Sequence, residues 1–242
     1  MSELDSPDIL EREIGNIGVE LSLAQLELFQ RYYYELTEWN SRVNLTSITE
    51  WEAVQTRHYL DSLTVALVIP EEILSSGRFV DIGSGGGFPG VPLIIAFPGM
   101  RGTLIEATGK KVAFLEHVKD TLELEGLEIQ NGRAETLARD PSLRESFDVV
   151  LSRSVAGMAA LAEMTLPFCR IGGLVVAHKG QNIEDEMTAA AKAITVTGGT
   201  IKEVRTVSLE GLSERSLVVL EKVSPTPDRL PRRPGMPSKR PI

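Results

Sequence analysis

The stretch that most constrains this chain is Gly83-Ser84-Gly85-Gly86-Gly87, four glycines in five positions directly after the apolar run Arg78-Phe79-Val80-Asp81-Ile82. Glycine at that density weakens any element containing it, so it belongs where the backbone needs conformations closed to other residues or must approach a ligand closely. An apolar strand turning through these glycines into Phe88-Pro89-Gly90 and an apolar helix, with Pro89 or Pro92 in its first turn, opens a strand–turn–helix unit. The chain downstream repeats that alternation. Strands are predicted near 78–82, 102–106, 127–130, 147–152 and 172–178. The clearest helix between them runs over 109–125, with Phe114, Leu115, Val118 and Leu122 on one face and Gly126 as its stop.

Short continuous apolar runs separated by helices are the mark of a parallel sheet covered on both faces. After a helix at about 183–196, Gly198-Gly199 introduces two further runs, Thr200–Val207 and Ser216–Lys222, which read as an antiparallel pair. The expected fold is α/β and Rossmann-like, with a seven-stranded, mostly parallel sheet. Residues 1–72 are predicted as a helical N-terminal extension, 73–223 as the Rossmann-like domain and 224–242 as a basic, proline-rich tail. In the extension, Leu26, Phe29, Tyr33 and Leu36 form the apolar stripe of a helix over 22–39 that Ser22 and Gln25 cap as a box. A second helix covers about 50–68, and the linker between them is polar.

Two ligand classes compete for the glycine turn. Gly85-x-Gly87-x-x-Gly90 satisfies a dinucleotide fingerprint, which would imply a nicotinamide-dependent dehydrogenase. The string Asp81, Gly83, Gly85, Gly87 favours the other class, because a carboxylate at the strand end can face an α-amino group or order water, whereas a pyrophosphate there would be repelled. Glu106 ends strand two about 20 residues on, where a carboxylate accepts from both ribose hydroxyls. Asn131 to Glu135 follow strand three, placed to read an adenine edge. Arg153 sits at the carboxyl end of strand four, on the ligand side, whereas Asp148 starts that strand on the wrong side. Each of these features fits S-adenosylmethionine.

Composition removes other classes. With 42% apolar and 24% charged residues the chain is of ordinary globular type, without a run long enough for a membrane span or an apolar leader, so a cytoplasmic monomer is expected. One cysteine, Cys169, and three scattered histidines, His58, His117 and His178, make neither an internal disulfide nor a metal-ligand spacing, and no metal is expected. A net charge of -9 argues against a protein that coats nucleic acid non-specifically, though Arg229, Arg232, Arg233, Lys239 and Arg240 make the end of the chain basic. That tail reads either as a phosphate-tracking arm or as a disordered solubilising one.

The acceptor is narrowed by what is missing. The Asn/Asp-Pro-Pro-aromatic tetrapeptide of exocyclic amino methylation is absent, and Cys169, beside Leu166-Pro167-Phe168 at an apolar helix end, reads as core packing rather than a nucleophile. An acceptor that needs no deprotonation fits best, and guanine N7 is such an atom; a small-molecule or protein acceptor stays open. The chain resembles the RsmG (GidB) family through Asn40-x-x-x-Asn44-Leu45-Thr46, His58-x-x-Asp61-Ser62, Asp81 through Gly90, Ser152-Arg153 and His178-Lys179-Gly180. Pro231-Arg232-Arg233-Pro234-Gly235 through Pro241 is similar to the longer members. The resemblance implies a class I S-adenosylmethionine-dependent methyltransferase acting on guanine N7 in small-subunit (16S) ribosomal RNA. It places Gly83, Phe88, Glu106, Ala107, Thr108, Ala134, Glu135 and Arg153 at the cofactor and names no proven base. Asn40, Asn44, His58 and Lys179 are candidates for positioning RNA or the guanine. The alternatives are that the asparagines cap the linker, and that His58, Asp61 and Ser62 form a strut to the sheet.

Overall fold

The computed structural model describes residues 9–181 and 183–242; the acidic residues 1–8 of the predicted extension lie outside that range. β1 (Arg78–Ile82), β2 (Arg101–Glu106), β3 (Leu127–Asn131), β4 (Phe147–Arg153) and β5 (Cys169–Lys179) run parallel. β6 (Gly199–Leu209) and β7 (Leu212–Lys222) form the antiparallel pair, with β7 against β5. The order β3-β2-β1-β4-β5-β7-β6 makes one seven-stranded mixed sheet, as expected. Successive strands step outward from β1 in one direction to β3 and then restart on its other side at β4. The crevice of such a sheet opens beyond the carboxyl ends of the two strands at the reversal, here β1 and β4.

Two apolar layers sandwich the sheet. On one face Val80, Ile82, Val150, Val175 and Ala177 pack with α8 (Ala134–Leu137), α9 (Met158–Thr165) and α10 (Glu184–Val196). On the other, Phe79, Leu104, Val149 and Leu151 meet α6 (Gly90–Ala96), α7 (Gly109–Thr121) and the N-terminal helices α1 (Ile9–Ile14), α2 (Leu23–Val43), α3 (Trp51–Val54), α4 (Asp61–Leu63) and α5 (Glu71–Ser76). The extension therefore shares a continuous core with the sheet. At the start of α2 the capping box forms as read, with Gln25 N–H donating to Ser22 Oγ and Ser22 N–H to Gln25 Oε1. Its buried stripe is Leu26, Phe29, Tyr32 and Leu36; Tyr33, expected there, is half-buried and donates its hydroxyl to Thr49 O. A three-residue step and a four-residue step from Phe29 both satisfy helical period, and packing of Tyr32 on Tyr59, Phe88 and the glycine turn selects the first.

Four further expectations change. The second helix does run to Leu67, but between α3 and α4 it passes through a π-helical turn, Gln55–Leu60, and it ends in a 3-10 turn, Thr64–Leu67. α7 stops at Thr121, and the left-handed residue after it is Glu123 at φ 55°; Gly126 instead serves as a sheet-edge turn whose carbonyl accepts from Gly102. Cys169 is the first residue of β5 rather than a helix end, fully buried, and burial pushes its thiol up to about 12, which leaves it inert core. The C-terminal residues are neither an extended arm nor a solubilising tail: Thr226 and Leu230 are buried and the chain closes with a short helix, α11 (Met236–Lys239), folded against the domain.

Candidate active site

The glycine turn after β1 uses its freedom at three positions, Gly83, Gly85 and Gly87, with φ of 75°, 59° and 94°. At Gly87 a Cβ would lie 2.6 Å from Tyr32 Oη, because the hydroxyl of that buried tyrosine on α2 donates to Gly86 O and clamps the turn from behind. Burial drives the Tyr32 phenol well above its ordinary range, so it remains a donor. Asp81 is fully buried beneath the turn; its Oδ2 accepts from Gly90 N at 3.0 Å and its Oδ1 has no hydrogen-bond partner. Burial outweighs the Gly90 bond and raises this carboxyl to about 7. Glu106 at the tip of β2 accepts from Gly85 N at 3.0 Å and Thr108 N at 2.7 Å, tying strand two to the turn.

Beside the turn lies a cavity of about 230 Å³ lined by Gly83, Glu106, Ala107, Thr108, Ala134 and Glu135, together with Val155, Met164, Gly235 and Ser238. Six of the residues assigned to the cofactor from sequence thus meet in one place. Three residues with left-handed backbone that admits no side chain without strain, a carboxylate at the second strand tip and a buried acid with one oxygen unpartnered fit S-adenosylmethionine. Its nucleoside would be held by Glu106 through Glu135 and its amino-acid end by the turn.

A second cavity, about 560 Å³, opens past the ends of β4 and β5 and shares Val155 with the first. Its centre is Arg153, which donates to Asp61 Oδ2 at 2.8 Å, Arg57 O at 3.0 Å and His58 Nδ1 at 3.1 Å, and lies 5.0 Å over the Phe88 ring. The always-charged guanidinium must donate, so His58 Nδ1 accepts and Nε2 carries the proton toward Thr46 Oγ1 at 2.8 Å. The imidazole also stacks on Phe88, centroids 4.3 Å apart, and burial with the adjacent Arg153 lowers its pKa to about 4. Asp61 is bridged further by Arg215 Nε at 3.5 Å. Lys179 donates to Ala156 O at 2.8 Å and Glu186 Oε1 at 2.6 Å. The next residue after Arg153, Ser154, is left-handed at φ 59°, a strained conformation of the kind found where a loop end is held for function.

Asn40 and Asn44 do not line either cavity among the described residues. Asn40 Oδ1 accepts from Leu45 and Thr46 N–H while its Nδ2 donates to Thr46 O, and Asn44 caps α2 in the left-handed region. They build the loop that holds Thr46 on His58. Asp148 is on the far side, accepting from Arg78 N and Arg170 Nε. Sequence reasoning did not find Arg57 and Arg215, which line the larger cavity, nor Tyr32, Gly235 and Ser238. The motif-like run Glu214-Arg215-Ser216 gives no spacing signal, and Arg57 needs the π turn to be placed.

Residues 25–218 match the model of the family described as rRNA small subunit methyltransferase G. The chain is 48% identical to ribosomal RNA small subunit methyltransferase G of Roseiflexus castenholzii, over 97% of this chain and 99% of the relative. It is also 48% identical to the protein of that name from Dehalococcoides mccartyi, over 95% and 97%. Among solved structures it is similar in fold to an O-methyltransferase from Bacillus cereus in complex with SAH, at TM-score 0.56 and 15% identity over 79% of this chain and 91% of the other. With the glycine turn, the strand order and both cavities in place, the chain belongs to the rRNA small subunit methyltransferase G family.

Proposed function

We propose that this chain methylates N7 of a guanine in small-subunit (16S) ribosomal RNA, acting as a cytoplasmic monomer. One observation carries the choice of acceptor: among the described residues, the larger cavity presents no accessible group free to take a proton, since the two acceptor atoms in its lining that lack a hydrogen bond, Asp61 Oδ1 and His178 Nδ1, are both fully enclosed. Asp61 accepts from Arg153 at Oδ2 and faces Arg215 Nε across 3.5 Å at Oδ1; His58 has both nitrogens engaged; and His178 is buried with Nε2 on Asp61 O at 2.9 Å and its Nδ1 enclosed. An amino or hydroxyl acceptor would need one. Guanine N7 has a lone pair and no proton, so alignment and desolvation suffice.

S-adenosylmethionine supplies an electrophilic methyl carried on a sulfonium. The chain's residues do the rest. Gly83 to Gly87 and Arg153 orient the amino-acid end, Glu106, Ala134 and Glu135 the nucleoside. Phe88, against whose ring both His58 and Arg153 pack, backs the site with an apolar aromatic surface. Lys179 and Arg215 meet the RNA, through O6 or phosphate, because a bidentate donor on O6 and N7 would cover the reacting atom. Asn40 and Asn44 act at one remove, through Thr46 and His58. A guanine N7 inside an A-form duplex lies in a deep narrow groove, so the target is in a loop or exposed during assembly.

Methyl transfer to small-subunit RNA carrying guanine, compared with the same RNA carrying 7-deazaguanine, tests this directly. Label is expected as 7-methylguanosine in the first and absent from the second; equal incorporation in both refutes N7. Titration with NAD, expected to give no heat, disposes of the dehydrogenase reading.

A further inference from the structure

The C-terminal residues contribute to the lining of the smaller cavity: Gly235 and Ser238 line it together with Glu106 and Thr108. They are fixed there on both sides. Arg232 makes a two-pronged pair with Glu163 of α9, Nε to Oε1 at 2.9 Å and Nη2 to Oε2 at 2.6 Å, and Arg232 N–H adds a bond to Oε1 at 2.7 Å. Glu163 is wholly buried, so this acid is in place for Arg232 and nothing else, and its neighbour Met164 lines the cavity. Across the cavity, Gly235 N–H donates to Glu135 Oε1 at 2.8 Å. Behind, Arg144 holds the carbonyls of Thr226 and Leu230, at 2.8 and 3.1 Å, and Arg139 that of Pro231.

We propose that the segment 230–239 is a strap that completes the nucleoside end of the methyl-donor site, with Gly235 setting the Glu135 carboxylate and Ser238 closing the outer side. The inference rests on reading this cavity as the donor site. Its basic residues serve docking as well as charge: Arg232 is spent on Glu163. Because the bound nucleoside touches the strap only when it is docked, donor binding and strap docking reinforce each other.

The full-length chain titrated calorimetrically with S-adenosylhomocysteine is the reference. Ser238→Trp, at an exposed position where a bulky ring enters the cavity without disturbing the anchors, is expected to weaken binding about tenfold or more at unchanged thermal stability. Arg232→Ala is expected to weaken it in the same direction, and Arg240→Ala, just beyond the strap and outside the lining, to leave it unchanged. S-adenosylhomocysteine is expected to slow tryptic cleavage after Arg232, a bond open to the protease only when Arg232 leaves Glu163. If the full chain binds and both Ser238→Trp and Arg232→Ala bind as tightly, with cleavage unaffected, the strap has no part in the site. If the full chain itself fails to bind, the cavity is misassigned and the inference falls with it.

Discussion

Two buried titrating groups give the site opposite responses to pH. His58 takes its proton near 6.5 when unfolded and near 4 when folded, so the stability it leaves intact above 6.5 is lost as pH falls through that interval. Asp81 runs the other way, from 3.8 unfolded to about 7 folded, so stability present below 3.8 declines as pH climbs through 7. His58→Gln is therefore expected to flatten the fall of the melting temperature between pH 6.5 and 4, measured by circular dichroism. Asp81→Asn is expected to raise the melting temperature relative to the parent chain at pH 8 more than at pH 4, while weakening affinity for S-adenosylhomocysteine. An Asp81→Asn chain with a parallel pH profile would mean that this acid titrates normally. At this scale the sequence disclosed residue types but not their partners. Asp81 and Arg153 could be placed at strand ends by period alone, yet that Arg153 would be shared among Asp61, His58 and Phe88 required contacts more than 60 residues apart in the chain.

Elements were more legible than residues, and for a physical reason. Strand alternation, glycine turns and helix caps are local, so β1 to β5 and the hairpin of β6 and β7 follow from period and punctuation. The π turn is not legible locally: nothing in Gln55–Leu60 forbids an ordinary helix, and its Arg57 carbonyl and His58 both accept from Arg153, nearly a hundred residues on. The clamp of α2 on the glycine turn is similar. Tyr32→Phe leaves Gly86 O buried and unpaired, at a cost of about 1–3 kcal/mol in chemical denaturation. Gly87→Ala, which adds left-handed strain to a collision with Tyr32 Oη, is expected to cost more. If the two variants denature like the parent chain, the turn holds itself.

For the whole molecule, charge is distributed against its sum. The chain carries -9, yet Arg57, Arg153, Lys179 and Arg215 line one cavity. Association with RNA is expected to weaken steeply with salt, and Arg57→Ala to reduce the slope of log affinity against log salt by about one; an unchanged slope would place the phosphates elsewhere. The tail misled because proline and arginine in series read as extended and solvated, and the acid that captures Arg232 lies 69 residues earlier inside an apolar helix. Tyr32 has a consequence for how the protein comes apart. A side chain from the helical layer is the rear support of the loop that holds the ligand, and that layer shares its apolar interior with the sheet. Heating should accordingly melt both at one temperature, and a fragment beginning at residue 73 would inherit the loop without the prop that shapes it.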